Sequence, residues 1–433
     1  MAPDRKAAES TSSLTRALGR TTATLLTAAM ILGTGLFAAL GETADKAGSG
    51  LLLAMLLSGL VALATGLSAA SLGVIFPEEG GAFTWSRKFS YDTLGFVAGC
   101  AYLGKGIVST AVISLAFATY TRQVVPGLPA YGMHLMAVAA ILSVAGFSYV
   151  GIELNARVLI STLFLELVLL GVFVTFAVPA MKPENLTPVL GNGVPGVLAG
   201  AAIFFWSWDG FMRTAIMASE IKNPRRTIPF AIVGGIAFAA VVFLAIGAAT
   251  LGVLGPKPMA QNDVPIFTAA QRAIGQWGIW VVVAAAWLDT LTEALGDLLT
   301  ATRVALAMGK AHELPGWLGI VHPRFRSPHH AALALGLACA VPALLFNLRP
   351  VLEVANVFTL VWYGIVHFDA LQLRKEERLT WSLVSWLGLA GCLALFIALP
   401  AWAIITGGVA LATLTGVRWL VRRYEPRSNQ ARA

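Results

Sequence analysis

TTATLLTAAMILGTGLFAALG, residues 21–41, is long enough to cross a bilayer, and Leu32, Gly33, Thr34 and Gly35 sit at its middle. A span needs about 20 mostly apolar residues. A break inside one leaves main-chain N–H and C=O groups unpaired in lipid, at a cost of several kcal/mol per group unless something uses them. A second stretch, residues 196–219, has the same form: Trp206, Ser207, Trp208, Asp209 and Gly210 interrupt it at mid-depth. Two interrupted segments in corresponding places of a multi-span chain point to a transporter's binding site.

Composition sets the class. The chain has 433 residues, 57% hydrophobic and only 12% charged, too apolar for a soluble domain. The apolar runs predict an all-α integral membrane protein of about twelve spans: residues 20–41, 50–76, 93–121, 131–150, 157–178, 194–218, 228–254, 274–308, 330–346, 350–373, 379–397 and 400–420. The breaks fall in the first and sixth. That offset is what a five-plus-five inverted repeat produces, since an odd-span repeat reverses its orientation. The halves share no clear residue identity beyond the break, so the repeat is inferred from topology. The reading divides the chain into an N-terminal tail (1–19), a ten-helix core (20–373), two additional helices (374–420) and a basic tail (421–433).

The net charge of +8 invites a nucleic-acid reading, but its distribution opposes one. Of 30 Lys and Arg, only Lys46, Arg122, Lys182, Lys257, Arg272 and Arg349 fall on the outer side, with Lys105 and Arg213 inside spans. This bias places both termini in the cytoplasm of a protein of the cell membrane. Arg418, Arg422, Arg423 and Arg427 are expected to meet anionic headgroups. Cys100, Cys339 and Cys392 sit in apolar spans and read as small buried hydrophobes, not a disulfide framework. The first apolar run is span-length, so no cleavable leader is expected. His312, His322, His329 and His330 lack zinc spacing and read as part of a solvated cytoplasmic loop. Residues 258–275 read as a short amphipathic helix lying on the outer surface.

Four motifs stand in order along residues 15–375. They are Gly33-Thr34-Gly35-Leu36-Phe37; Pro77-Glu78-Glu79-Gly80-Gly81-Ala82-Phe83; Ser219-Glu220-Ile221-Lys222-Asn223-Pro224-Arg225-Arg226-Thr227-Ile228-Pro229; and Thr302-Arg303 with Leu314-Pro315. Together they resemble the signatures of the amino acid–polyamine–organocation superfamily. The resemblance implies the leucine-transporter-type fold, alternating access, and an amino acid or amine substrate, with the last two helices outside the repeat.

The break in the first span can serve chemistry directly. Gly33 and Gly35 permit unusual backbone angles and close approach. Free N–H groups opening the next half-helix lie at its positive dipole end and suit a substrate carboxylate. The plainer alternative is that these glycines only let helices pack. In the second break, the resemblance makes Trp206 or Trp208 a gate over the substrate, where an aromatic face also attracts an ammonium; bundle packing is the alternative. Asp209, charged at mid-membrane, is a functional candidate by default. It pairs either with a substrate amine or with Arg213, one turn on.

Asp289, Glu293 and Asp297 follow at four-residue spacing on one helix face, about 6 Å apart in rise. Three like charges there repel at low dielectric, so at least one is expected to be protonated or to hold a cation. Lys105 and Arg213 are alternative partners. The resemblance places Glu166 where many sodium-independent relatives carry a lysine. The reversed sign makes it the leading candidate to couple transport to a proton or sodium ion, with Lys105 as its alternative neighbour. Glu220, Lys222, Arg225 and Arg226 read as a latch on the inner gate.

The function expected is secondary transport of an amino acid or related amine, as proton symport or exchange. No cofactor or metal is implied. No phosphate-binding G-x-x-x-x-G-K-[ST] loop is present, nor H-E-x-x-H or G-x-S-x-G, so neither ATP drive nor a membrane enzyme is expected. A channel lacks its filter loop or charge ring. A transport-inactive sensor on the same fold is the alternative.

Overall fold

The computed structural model describes residues 18–77, 80–125, 127–151, 156–216 and 221–424. Glu78 and Glu79 of the glycine loop, Asn155, Ser219, Glu220 and most of both tails, Arg427 included, lie outside the described residues.

Among the described residues the chain forms helices and short turns, with no strand beyond an isolated bridge between Leu18 and Ile221. Helices α1 (Arg20–Ile31) and α2 (Gly35–Ala47) make up the first interrupted segment. Then come α3 (Leu51–Ile75), the short α4 (Ala82–Lys88), α5 (Asp92–Arg122), α6 (Ala130–Tyr149) and α7 (Ala156–Ala177). The second interrupted segment is α8 (Gly193–Phe204), a 3-10 turn (Phe205–Trp208) and α9 (Phe211–Ile216). It is followed by α10 (Pro224–Leu254), α11 (Pro256–Ala260), α12 (Pro265–Ile274), α13 (Gln276–Lys310), α14 (His329–Leu345), α15 (Leu348–Gln372), α16 (Ser382–Ile397) and α17 (Ala401–Tyr424).

Helix thus lies on each range the apolar runs mark out. Among the described residues, 8 stretches are long and apolar enough to cross a membrane, and Gly193–Trp208, His329–Leu345 and Ser382–Ile397 are shorter apolar helices. Helix is the form that suits such stretches, because inside lipid only a helix pairs all its own backbone groups. Leu60, Val168, Val241 and Ile405 point outward and are exposed, a surface that suits lipid. Helix α5 runs through the middle, buried on most faces from Gly95 to Thr121, and packs along α13 and α15. Small residues allow this closeness: a Cβ on Gly106 would come within 2.8 Å of Ala301.

Three peripheral expectations need correction. The outer segment is two helices, not one, and its apolar face is turned to protein. Met259, Ile266, Phe267, Ala269 and Ala270 are buried against the bundle, while Arg272 stays exposed. Amphipathicity says that one face is covered, not by what. Arg418 does not reach for headgroups. It holds Glu313 through two bonds of 2.7 and 3.0 Å and lies over the Phe96 ring, which ties α17 to the bundle beside α5. In the histidine loop, His322 and His329 pack ring to ring at 4.8 Å beside Tyr149, so this part of the loop is folded and only partly solvated. Cys100, Cys339 and Cys392 are buried free thiols.

Candidate functional site

The two interruptions lie against each other. A Cβ on Gly35 would fall on Ser207, and one on Gly210 would fall on the Met30 carbonyl. Glycine at each break therefore admits the other segment's main chain.

The breaks differ in kind. At the first, Leu32 turns extended (φ −69°, ψ 104°) before Thr34 and Gly35 restart the helix. The Thr34 N–H donates to Glu293 Oε2 of α13 at 2.6 Å. Gly33 lets that carboxylate lie close, since a Cβ there would sit 2.7 Å from Glu293 Oε2. The second break is no true opening. Residues 205–208 tighten into a 3-10 turn and Asp209 keeps helical angles (φ −56°, ψ −28°). Its displaced main-chain groups are already satisfied: the Trp206 N–H donates to Asn356 Oδ1 at 3.0 Å, and Asn356 Nδ2 donates to the Ile203 carbonyl at 3.1 Å. The expectation that both breaks keep free backbone groups for a ligand therefore needs correction at the second.

The two tryptophans part company. Trp206 Nε1 donates to Ser109 Oγ on α5 at 2.7 Å, and Trp208 Nε1 donates to Ser58 Oγ on α3 at 2.9 Å. Trp208 also packs edge-on against Phe243 of α10, at 5.0 Å between rings. Its surroundings are those of bundle packing.

The charged residues divide into two groups. Asp209 pairs with Lys105 of α5 and accepts a bond from the Tyr363 hydroxyl of α15. Lys105 Nζ also reaches Asp297 Oδ1 at 2.8 Å, and Arg213 Nη2 reaches the same oxygen at 2.8 Å. The cation beside Asp209 is Lys105, not Arg213, so the local alternative for Asp209 is not the one realised. Lys105 is likewise taken by Asp209 and Asp297, not by Glu166. Two cations and two carboxylates thus balance. Asp297 leaves the acidic stripe for this group.

Glu166, Asp289 and Glu293 form the second group, with Glu166 and Asp289 buried. Each is an electrostatic neighbour of at least one of the others. Asp289 Oδ2 and Ser207 Oγ are buried and make no hydrogen bond among the described residues, while the Thr34 side chain lies against the Asp289 and Glu293 carboxylates. Such atoms are costly to leave unmade, and they cluster where the two breaks meet. Among the described residues no set of His, Cys, Asp and Glu is arranged to hold a metal ion.

The sequence reading missed Asn356 and Tyr363. Both lie on α15, seven residues apart and so on one helix face. A polar amide inside an apolar span was the available signal.

A multi-pass helical membrane protein with interrupted helices meeting around buried charge is built to move something across a bilayer. The family model for amino acid permeases matches residues 18–415, and the chain belongs to that family. It is 32% identical to an uncharacterized transporter of Mycobacterium tuberculosis, over 95% of this chain and 93% of that one. It is 27% identical to the branched-chain amino acid permease of Bacillus subtilis, over 84% and 82% of the two chains. It is 26% identical to a vacuolar cationic amino acid transporter of Arabidopsis thaliana, over 90% and 69%. These relatives are named transporters or permeases, not enzymes. The protein is a transporter.

Proposed function

We propose that this chain carries an amino acid or related amine across the cell membrane by alternating access, as a proton-coupled symporter or an exchanger. The cargo site lies where the breaks meet. Leu32, Gly33, Thr34 and Gly35 supply main chain, and Trp206, Ser207, Asp209 and Gly210 face them; Trp208 braces the second break from behind. The observation that carries this reading is Ser207 Oγ, a buried hydroxyl without a hydrogen-bond partner among the described residues, placed where the second break meets Gly35 of the first. Glu166, Asp289 and Glu293 take up the coupling proton or sodium ion, while Lys105 and Asp297 hold the site's frame.

The helix pairings support a five-plus-five repeat within about twelve spans. Helix α1 packs on α10 as α8 packs on α3, and α5 packs on α15 as α13 packs on α7. Each pair maps to the other when spans are exchanged five apart. Both termini then lie in the cytoplasm, and α16 and α17 stand outside the repeat. The relatives' names divide between branched-chain and cationic amino acids and lend a transport-inactive sensor no support.

Uptake into proteoliposomes tests the reading. Amino acids and amines are offered with and without an inward pH gradient. Accumulation of one class is expected; binding without flux would overturn transport in favour of sensing.

A further inference from the structure

Helices α16 and α17 follow the proposed repeat and are joined by residues 398–400 alone. Two helices on so short a link commonly pack as a hairpin. These do not. Helix α16 lies on α3 and α15, α17 lies on α15 and α5, and the two barely touch each other. The pair therefore sits astride α15, with one foot on α3 and the other on α5. Both feet stand at the end of the bundle that carries α4. The first reaches His367, two residues before Asp369, which accepts from Ser86 of α4 at 2.7 Å. The second reaches Asp92 and Thr93, where α5 begins.

The feet differ in chemistry. Under α16 runs a chain of hydrogen bonds. Ser385 Oγ lies 2.9 Å from Ser68 Oγ of α3, Ser68 Oγ lies 3.0 Å from His367 Nδ1 of α15, and His367 Nε2 lies 2.9 Å from Thr65 Oγ1 of α3. Thr65 gives its own proton to the Val61 carbonyl at 2.8 Å. His367 therefore donates from Nε2 and accepts from Ser68 at Nδ1, and Ser68 accepts from Ser385. All four residues are buried, so a bond broken there has no solvent to replace it.

Under α17 the contact is ionic. Arg418 donates to Glu313 at 2.7 and 3.0 Å, and Arg87 of α4 reaches the same carboxylate at 3.7 Å. Arg87 and its other partner Asp92 are 33% and 57% exposed, so solvent stands at this edge to take over charges as they part. Helix α4 is bracketed by sharp bends, with left-handed backbone at Gly80 and Gly81 before it and at Ser90 after it.

We propose that α16 and α17 form a strap whose α16 foot stays fixed, while the Arg418 foot is a latch that releases Glu313 in each transport cycle and so frees Arg87 and α4 to move. This rests on the proposed alternating access and gives the two helices outside the repeat a part in it. The saturated, buried foot is the anchor, and the ionic foot at the solvent edge is the one that opens. Because Arg418 and Arg87 share Glu313, α17 governs α4 without touching the cargo.

Two experiments on the full-length protein in proteoliposomes test the strap, with leucine and arginine offered in turn as cargo. In the first, Cys100→Ala, Cys339→Ala and Cys392→Ala clear the native thiols. Arg418→Cys with Glu313→Cys is then joined by a short bis-methanethiosulfonate, which reductant removes. Joining should abolish uptake and reductant should restore it. Ser68→Cys with Ser385→Cys, oxidised to a disulfide, should keep the uptake of its reduced form. Full uptake with the Arg418 foot joined would overturn the proposal, as would loss of uptake on joining the α16 foot. The second experiment needs no variant. Cys100 of α5 is buried, with Arg418 and Glu313 as its charged neighbours. Its labelling by N-ethylmaleimide, read by peptide mass spectrometry, should rise during turnover while that of Cys339 and Cys392 does not. Unchanged Cys100 labelling during measured uptake would overturn the latch alone. Absence of uptake by the wild type would overturn the proposed function and the latch with it.

Discussion

The two helix breaks look alike as sequence and are built differently. The first is opened: Leu32 leaves helical geometry, and a main-chain N–H is presented to a carboxylate. The second is tightened into a 3-10 turn whose displaced N–H and C=O are both taken by Asn356. Glycine is necessary for either, because each break must admit the other's backbone, but it does not decide which opens. What decides is whether a neighbouring helix brings an amide that satisfies donor and acceptor together, as α15 does, or an acid that satisfies only a donor, as α13 does. On the proposed reading the first break is the one that exchanges partners, and the second is its fixed wall.

The largest effect should come from closing the seam. Gly35→Val places branched carbons on Ser207 and should lower uptake by at least about a hundredfold, the scale of a misplaced binding group, while the protein still purifies as a folded species. Normal uptake by a well-expressed variant would detach the first break from the cargo.

Next is the frame behind the second break. Lys105→Met strands Asp209 and shares Asp297 with Arg213 alone. Breaking a buried pair from one side costs about 3–5 kcal/mol, and thermal unfolding in detergent should register it. Lys105→Met with Asp209→Asn should recover much of that loss, since the two act on one interaction. Simple additivity would mean the contact carries little.

Asn356→Leu sharpens the comparison directly. It should leave the Trp206 N–H and the Ile203 C=O unpaired, at about 1–3 kcal/mol for each group, read as a lowered melting temperature. No loss of stability would mean that the second break does not depend on Asn356. The smallest effect is expected from Trp208→Phe. It removes the bond to Ser58, worth about 1 kcal/mol, and should change uptake less than Trp206→Phe does. The reverse order would return Trp208 to the site.

These contrasts mark how far the sequence could be read. Helix positions were legible because lipid thickness imposes length and apolarity together. The breaks were legible because Gly33-Thr34-Gly35 and Asp209-Gly210 are conspicuous inside apolar runs. Their difference was not, since it depends on Asn356 and Glu293, distant in the chain and brought close only by packing. Asp209 shows the same limit. Its nearest basic residue in sequence is Arg213, one turn along, yet the fold delivers Lys105 from α5 and leaves Arg213 to Asp297. Local spacing ranks partners along one helix and says nothing of those that arrive across the bundle. The outer segment repeats the lesson, with an apolar face correctly sensed and its cover, protein instead of lipid, invisible until α11 and α12 docked.

The most direct measurement is an experimental structure of the protein with its transported cargo bound. The account predicts ligand density in the seam between residues 32–35 and 206–210, touching the Thr34 and Ser207 hydroxyls. Cargo bound elsewhere, or both segments continuously helical, would contradict it.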